Sequence, residues 1–229
     1  MDLFSRYWTF MSSFNVLYAF WINISLTLLA GALALILGTL AATMRISPVA
    51  SLRLASTFYV NVFRDIPLTV VMLAMSMVIW LSLGVDFAPG DQPRNLYILA
   101  VIGLGVYHSS FIAEALRSGV NTVPLGQAEA ARAIGLTFVQ SARIVILPQA
   151  FRGAIAPLGN TIIALIKNTT VALVTGVSIE TSSVMSTMIE FGPQYILLIF
   201  FTFALGYVII VIPVGVVTTS LSRRLAVKR

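Results

Sequence analysis

The apolar residues of this chain gather into five long runs separated by polar stretches, and each run has the length of a membrane-spanning helix. About 20 mostly apolar residues suffice to cross a bilayer. The first run, about Leu17 to Met44, contains no charged residue, and Ala30, Gly31, Ala34 and Gly38 lay small side chains along it. Small residues at such spacing suit close helix contact in lipid. Arg45, Ser47-Pro48 and Arg53 end this run with charge and a breaker. The second, about Leu54 to Leu83, is interrupted by Arg64-Asp65 and Pro67, which predicts a kink or break there. A polar loop from Asp86 to Arg94 follows, then a third run, about Leu96 to Leu116, holding His108 and Glu114. A long polar stretch from Arg117 to Arg152 precedes the fourth run, about Ala154 to Val177, which contains Lys167. The fifth, about Tyr195 to Leu221, is closed by a basic tail. The pattern predicts an all-α integral membrane protein with five transmembrane helices, one domain over residues 1–229, and no internal repeat.

Composition points the same way. Of 229 residues, 59% are hydrophobic and 10% charged, with a mean hydropathy of +0.98. Soluble domains are near half apolar and a quarter charged, so lipid must be the solvent for part of this surface. The net charge of +6 would suggest nucleic acid in a soluble protein. Here the bases sit between apolar runs, and topology explains them better. Arg45, Arg53, Arg117, Arg132, Arg143, Arg152, Arg223, Arg224, Lys228 and Arg229 all fall on one side of a five-span chain; only Arg6 and Arg94 fall on the other. The positive-inside rule then predicts an N-terminus outside and a cytoplasmic C-terminus. The first apolar run is too long for the core of a signal peptide and is read as a retained span. Trp8, Tyr18, Trp21 and Trp80 lie near the ends of runs, as interfacial anchors do.

Candidate chemistry is narrow. Cysteine is absent and His108 is the one histidine, so this chain alone builds no cysteine–metal site, histidine triad or Ser/His/Asp array. No GxxxxGK[ST] phosphate loop occurs, so any ATP used must be bound by another polypeptide.

The informative polar segment is VPLGQAEAARAIGLTFVQSARIVILPQA, Val123 to Ala150, within a loop of about residues 118–152. Pro124 is suited to opening a helix, and Gln127 to Ile134 is Ala-rich and strongly helix-forming. Gly135 fits a C-terminal stop. Thr137 with Gln140 three residues on fits a capping box for a second helix, and Pro148 is expected to end it. Helix, glycine turn and helix would form a rigid knob on the cytoplasmic face.

This segment resembles the coupling motif of ABC importer membrane subunits: a glutamate and two alanines, a glycine four residues on, then an aliphatic residue and a Leu-Pro pair. Those are Glu129, Ala130, Ala131, Gly135, Val145, Leu147 and Pro148, with Val145 replacing the more usual isoleucine. Phe63 to Leu68 is similar to the Arg-x-x-Pro-Leu element of the polar-amino-acid branch, the histidine/glutamine/glutamate permease family. Ala113 to Gly119 and Ile166 to Thr170 look like two further elements of that branch. The ending Arg224-Leu225-Ala226-Val227-Lys228 resembles actinobacterial glutamate permeases.

The resemblance implies a type I ABC importer permease fold, a multi-pass protein of the bacterial cytoplasmic membrane. It implies a subunit that is not an enzyme, whose loop docks on separate ATP-binding cassette ATPase subunits that bind ATP-Mg. A second permease subunit, copy or sibling, and an extracytoplasmic substrate-binding protein complete the assembly. The substrate implied is a polar L-amino acid, glutamate or glutamine first.

Among single residues, Gly135 is read as a backbone residue, required by a left-handed turn or by close approach to a partner. Glu129 docks on the ATPase or favours its helix through the dipole. Lys167, Asn168 and Thr169 are candidates to line the substrate path, with Lys167 meeting a carboxylate; the plainer reading has Lys167 neutralise Glu114 between packed helices. Glu114 either pairs with Arg117 one turn away or binds an ammonium group. Arg64 marks a broken segment of the kind where substrates bind, or merely faces the end of a kinked helix. His108 is read as an interhelical hydrogen-bonding residue. Two rivals remain: an ion-coupled secondary transporter using Asp65 and Glu114, and a membrane scaffold that recruits a cytoplasmic enzyme through the same loop.

Overall fold

A computed structural model describes residues 3–225, and the described chain is built of helices joined by short loops, with no strand among the described residues. Of the basic tail, Lys228 and Arg229 lie outside the described residues, as do Ala226 and Val227. The helices are α1 (Leu3–Ser12), α2 (Val16–Arg45), α3 (Ala50–Asp65), α4 (Leu68–Leu73), α5 (Gln92–Val120), α6 (Leu125–Ala133), α7 (Phe138–Ser141), α8 (Leu147–Gly153), α9 (Ile155–Asn168), α10 (Thr181–Phe191) and α11 (Ile196–Leu225). Wide π-helical turns carry α4 on through Ala74–Ser82 and α7 on through Ala142–Ile146, and α9 tightens into a 3₁₀ segment at Thr169–Thr175.

Four of these helical stretches are long and apolar enough to cross a membrane: Val16–Arg45, Gln92–Val120, Ile155–Thr175 and Pro193–Leu225. A fifth crossing is available if α3 and Leu68–Ser82 count as one span, since that pair is bent by 102° at its break. The cause of the break is local. The ring of Pro67 disfavours helical backbone at the preceding residue, and Ile66 is extended, with φ −84° and ψ 135°.

The described residues form two compact units. One comprises residues 3–30, 68–104 and 165–213. Its core holds Tyr7, Val16, Met188, Ile199 and Phe203, with the rings of Phe10, Phe14, Phe20 and Tyr195 packed around them. The other comprises residues 31–67, 105–164 and 214–225. Its core is built from small residues: Ala34, Ala41, Ala42, Ala113 and Ala154 alongside Val60, Ile112 and Leu116. A β-carbon at Gly38 would stand 2.6 Å from Ile112 Cγ2 and 2.8 Å from the carbonyl oxygen of Ser109, so α2 and α5 touch there almost backbone to backbone. The predicted small-residue stripe is thus a helix contact, held by packing rather than by a hydrophobic force that lipid would not supply.

The sequence reading differs from the structure in two places. Pro148 does not end the helix that Thr137 opens. It sits in the first turn of α8, and the backbone stays helical on both sides. A proline lacks the N–H for an i→i−4 bond and crowds the carbonyl four residues back. The wide turn at Ala142–Ile146, in which the Leu147 N–H reaches Ala142 O, absorbs that misfit. Helices α1 and α10 have no counterpart in the sequence reading, because both are too short to register as apolar runs.

Candidate functional site

The polar segment between α5 and α9 folds as the sequence predicts up to its middle. Pro124 is the N-terminal cap residue of α6, with φ −58° and ψ 133°. At the other end the Leu136 N–H donates to Ala131 O at 3.1 Å and the Gly135 N–H to Arg132 O at 2.9 Å. That pair of bonds is a Schellman ending, and it places Gly135 at φ +83°. A β-carbon at Gly135 would meet nothing within 4 Å. Within this chain, therefore, glycine is needed for its left-handed backbone and not for space. The next residues start α7 with a complete capping box: the Gln140 N–H donates to Thr137 Oγ1, and the Thr137 N–H donates to Gln140 Oε1 at 2.8 Å.

The knob made by α6, its glycine turn and α7 is outward-facing. Glu129 and Ala130 are exposed, and Ala131 is buried beneath them. Leu125, Ile134 and Val139 stand 84%, 77% and 68% exposed. These are large apolar side chains left bare on a polar loop. Leu147 is half-buried and Pro148 exposed in the helix behind the knob. The loop is anchored where it leaves and rejoins the spans. A β-carbon at Gly119 would lie 2.1 Å from Ala150 O, and one at Gly153 would lie 2.3 Å from Thr122 Oγ1.

In the same unit, Glu114 gathers three guanidinium groups. Arg45 Nη1 donates to Glu114 Oε2 at 2.6 Å, Arg117 Nε donates to Oε1 at 2.8 Å, and Arg64 Nη1 lies 3.5 Å from Oε2. Arg64 also stands over the ring of Phe111, 5.9 Å from its centroid. Among the described residues the ion pairs all converge on this carboxylate. Arginines from α2, α3 and α5 hold it, so its neutralisation is supplied by guanidinium and its oxygens are already engaged. The i, i+3 pair with Arg117 follows the sequence; Arg45, read only as a topology marker, does not. His108 is buried, its ring 5.2 Å from that of Tyr107.

The Lys167, Asn168 and Thr169 candidates lie where α9 gives way to the 3₁₀ turn, in the other unit. Lys167 is exposed, Asn168 is half-buried, and Thr169 is fully buried. Thr169 belongs to a polar cluster that the sequence did not disclose. Asn23 Nδ2 lies 2.8 Å from Thr169 Oγ1, 2.9 Å from Thr181 Oγ1 and 2.8 Å from Tyr207 OH, while Asn23 Oδ1 accepts from the Thr181 N–H. One asparagine thereby ties α2, the end of α9, the start of α10 and α11 together. Beside it Glu180 caps α10, its carboxylate accepting from the Ser182 and Ser183 N–H groups at 2.9 and 2.6 Å. Burial pushes the Glu180 carboxyl above its ordinary range, against the pull of those hydrogen bonds.

Residues 34–227 match the family model described as the binding-protein-dependent transport system inner membrane component. The chain belongs to this family. It is the membrane-embedded permease component of an ABC transport system, and such permeases are not themselves enzymes. Among its relatives, the glutamate transport system permease protein GluC of Corynebacterium glutamicum is 47% identical over 219 residues, covering 94% of this chain and 96% of that protein. A probable glutamine ABC transporter permease protein, GlnM of Bacillus subtilis, is 35% identical and covers 87% of this chain and 89% of its own length. A solved amino acid ABC transporter superimposes with a TM-score of 0.77 at 24% identity, over 98% of this chain and 99% of that one. That likeness confirms the ABC importer permease fold.

Proposed function

We propose that this permease carries a polar L-amino acid, glutamate first and glutamine second, inward across the cytoplasmic membrane, driven by ATP hydrolysis on separate ATPase subunits. The observation that carries the coupling half of this reading is the capped knob of α6 and α7, with Leu125, Ile134 and Val139 bare on a polar loop. Glu129, Ala130, Ala131, Gly135, Leu147 and Pro148 form or back that surface. The basic residues flanking the knob, Arg117, Arg132, Arg143 and Arg152, support a cytoplasmic placement, with the N-terminus outside. The choice of substrate rests on the relatives, whose names specify glutamate and glutamine.

In this reading the ATPases bind ATP-Mg and their closure moves the knob. A second permease subunit completes the path, and an extracytoplasmic binding protein delivers the amino acid. Lys167 and Asn168 are the path residues best placed to meet substrate, since Lys167 is exposed in a single chain. Thr169 supports them from behind through Asn23. Arg64 and Glu114, in the other unit, form a fixed charge cluster.

The test is purification of the tagged chain in mild detergent beside an Ile134→Glu variant, whose new side chain projects into solvent and leaves the fold alone. An ATPase recovered with the parent and lost from a variant that still inserts supports the coupling role. If the parent brings no ATPase, the reading fails. Uptake of labelled glutamate against labelled glutamine in cells lacking other importers then decides the substrate.

A further inference from the structure

Where α9 and α11 cross within the second unit, Gly159 packs directly on Thr218; a β-carbon there would fall 1.9 Å from Thr218 Cγ2. Beside this contact a groove of about 290 Å³ opens between the two helices. Its apolar floor is Ala156, Ile163 and Gly215, and its walls carry Asn160, Thr218, Thr219, Ser222 and Arg223. Both helices are membrane spans. Polar side chains at such positions normally find partners on neighbouring helices. The ion pairs of the described residues instead all converge on Glu114, leaving Arg223 without one. One carboxamide, three hydroxyls and one guanidinium thus face a shared space from two helices.

We propose that this groove binds the headgroup of an anionic phospholipid. The donor set is what an oxyanion requires: a guanidinium fork for two oxygens and hydroxyls for the rest. Basic pockets between transmembrane helices take anionic headgroups for this reason. The surroundings fit an amphipathic ligand rather than a free ion. Val216, Val217 and Leu221, on the same stretch of α11, are 59%, 62% and 45% exposed, an apolar surface along which acyl chains would lie. The floor is shaped by Gly215, which leaves room beside Ile163 Cδ1, 3.8 Å from where a β-carbon would sit.

The test uses the assembled transporter in nanodiscs holding equal phosphatidylglycerol and phosphatidylcholine, with retained lipid measured by native mass spectrometry after detergent release. Phosphatidylglycerol is expected to be enriched about fivefold over phosphatidylcholine, the factor one cation contributes near an anionic surface. Arg223→Gln with Thr219→Val should abolish the enrichment, and Arg6→Gln should leave it unchanged. Equal retention of the two lipids by the parent overturns the proposal. So does enrichment that inorganic phosphate competes away, which would make the ligand a free anion. A Thr219→Cys variant that cross-links efficiently to a second permease subunit also overturns it, because the groove would then be covered by protein.

Discussion

Gly119 on α5 approaches Ala150 on α8 so closely that a β-carbon at position 119 would lie 2.1 Å from the Ala150 carbonyl oxygen. That contact fixes the two ends of the polar loop to each other before the knob projects. The obstacle is backbone, which cannot rotate away as a side chain can. Gly119→Ala must therefore shift α8 relative to α5, an overpacking cost of about 1–3 kcal/mol. The expected outcome is a lowered melting temperature and a loss of coupled transport. Thermal unfolding followed by size-exclusion chromatography of the assembled complex measures the first. A variant that melts with the parent would show that α8 yields freely and that the loop is not anchored here.

Gly135 offers the opposite case. Its φ of +83° excludes most side chains on backbone grounds, yet the space around it is empty. Left-handed backbone costs an ordinary residue about 1–2 kcal/mol, while asparagine tolerates it better. Gly135→Ala should weaken the turn by roughly that amount, and Gly135→Asn by less. If docking needs only the turn, ATPase recovery should rank parent, Asn variant, Ala variant. Equal and complete loss in both variants would show that the partner's surface presses against position 135 itself.

Much of the fold was legible because its determinants are local. Apolar runs fixed the spans to within a few residues, and Thr137–Gln140 and Gly135 announced their own helix ends. What was not legible depended on distance along the chain. Asn23 is one of several polar residues scattered through an apolar run, beside Ser25 and Thr27, and its partner Tyr207 lies 184 positions away. Nothing in either neighbourhood connects them. Helix α10 is too short to register as an apolar run, and its cap is a glutamate rather than the usual serine or asparagine, so neither signal announced it. A breaker rule misplaces Pro148 because it takes no account of a wide turn that absorbs the proline. The loop position of Arg45 assigns it to topology, although its reach to Glu114 is the closest of that carboxylate's contacts outside its own helix.

The three arginines around Glu114 should not be equivalent. Arg45 is 15% exposed and 2.6 Å from the carboxylate; Arg64 is 40% exposed and 3.5 Å away. Solvent screens the second contact far more than the first. Arg45→Gln should cost about 1–2 kcal/mol, since it removes a shielded charge from a carboxylate that keeps its own. Arg64→Gln should cost no more than a few tenths of a kcal/mol. Denaturation midpoints of the two variants in the same detergent test this ranking. A larger loss at Arg64 would mean that its place over Phe111, and not its charge, is what holds α3.

Glu180 lies between the spans that end at Thr175 and begin at Pro193, where its titration bears on folding. Burial raises its carboxyl above the ordinary value of 4.5. A group whose folded value is raised holds its proton more tightly in the native state. Its stabilising contribution is complete below the unfolded value and is lost as pH rises through the folded one. The parent should therefore lose stability as pH rises above about 4.5 relative to Glu180→Gln, which cannot titrate. The carboxamide of that variant still offers one oxygen to the Ser182 and Ser183 N–H groups, so the cap of α10 survives in weakened form. Melting temperatures of both proteins across that range, taken as a difference, isolate this one group from every other titration. A difference that is flat with pH would show that the hydrogen bonds to the carboxylate, from Ser182, Ser183 and the Thr181 hydroxyl, fully offset burial. A difference of the reverse sign would show that they outweigh it and that the charged cap is the native one.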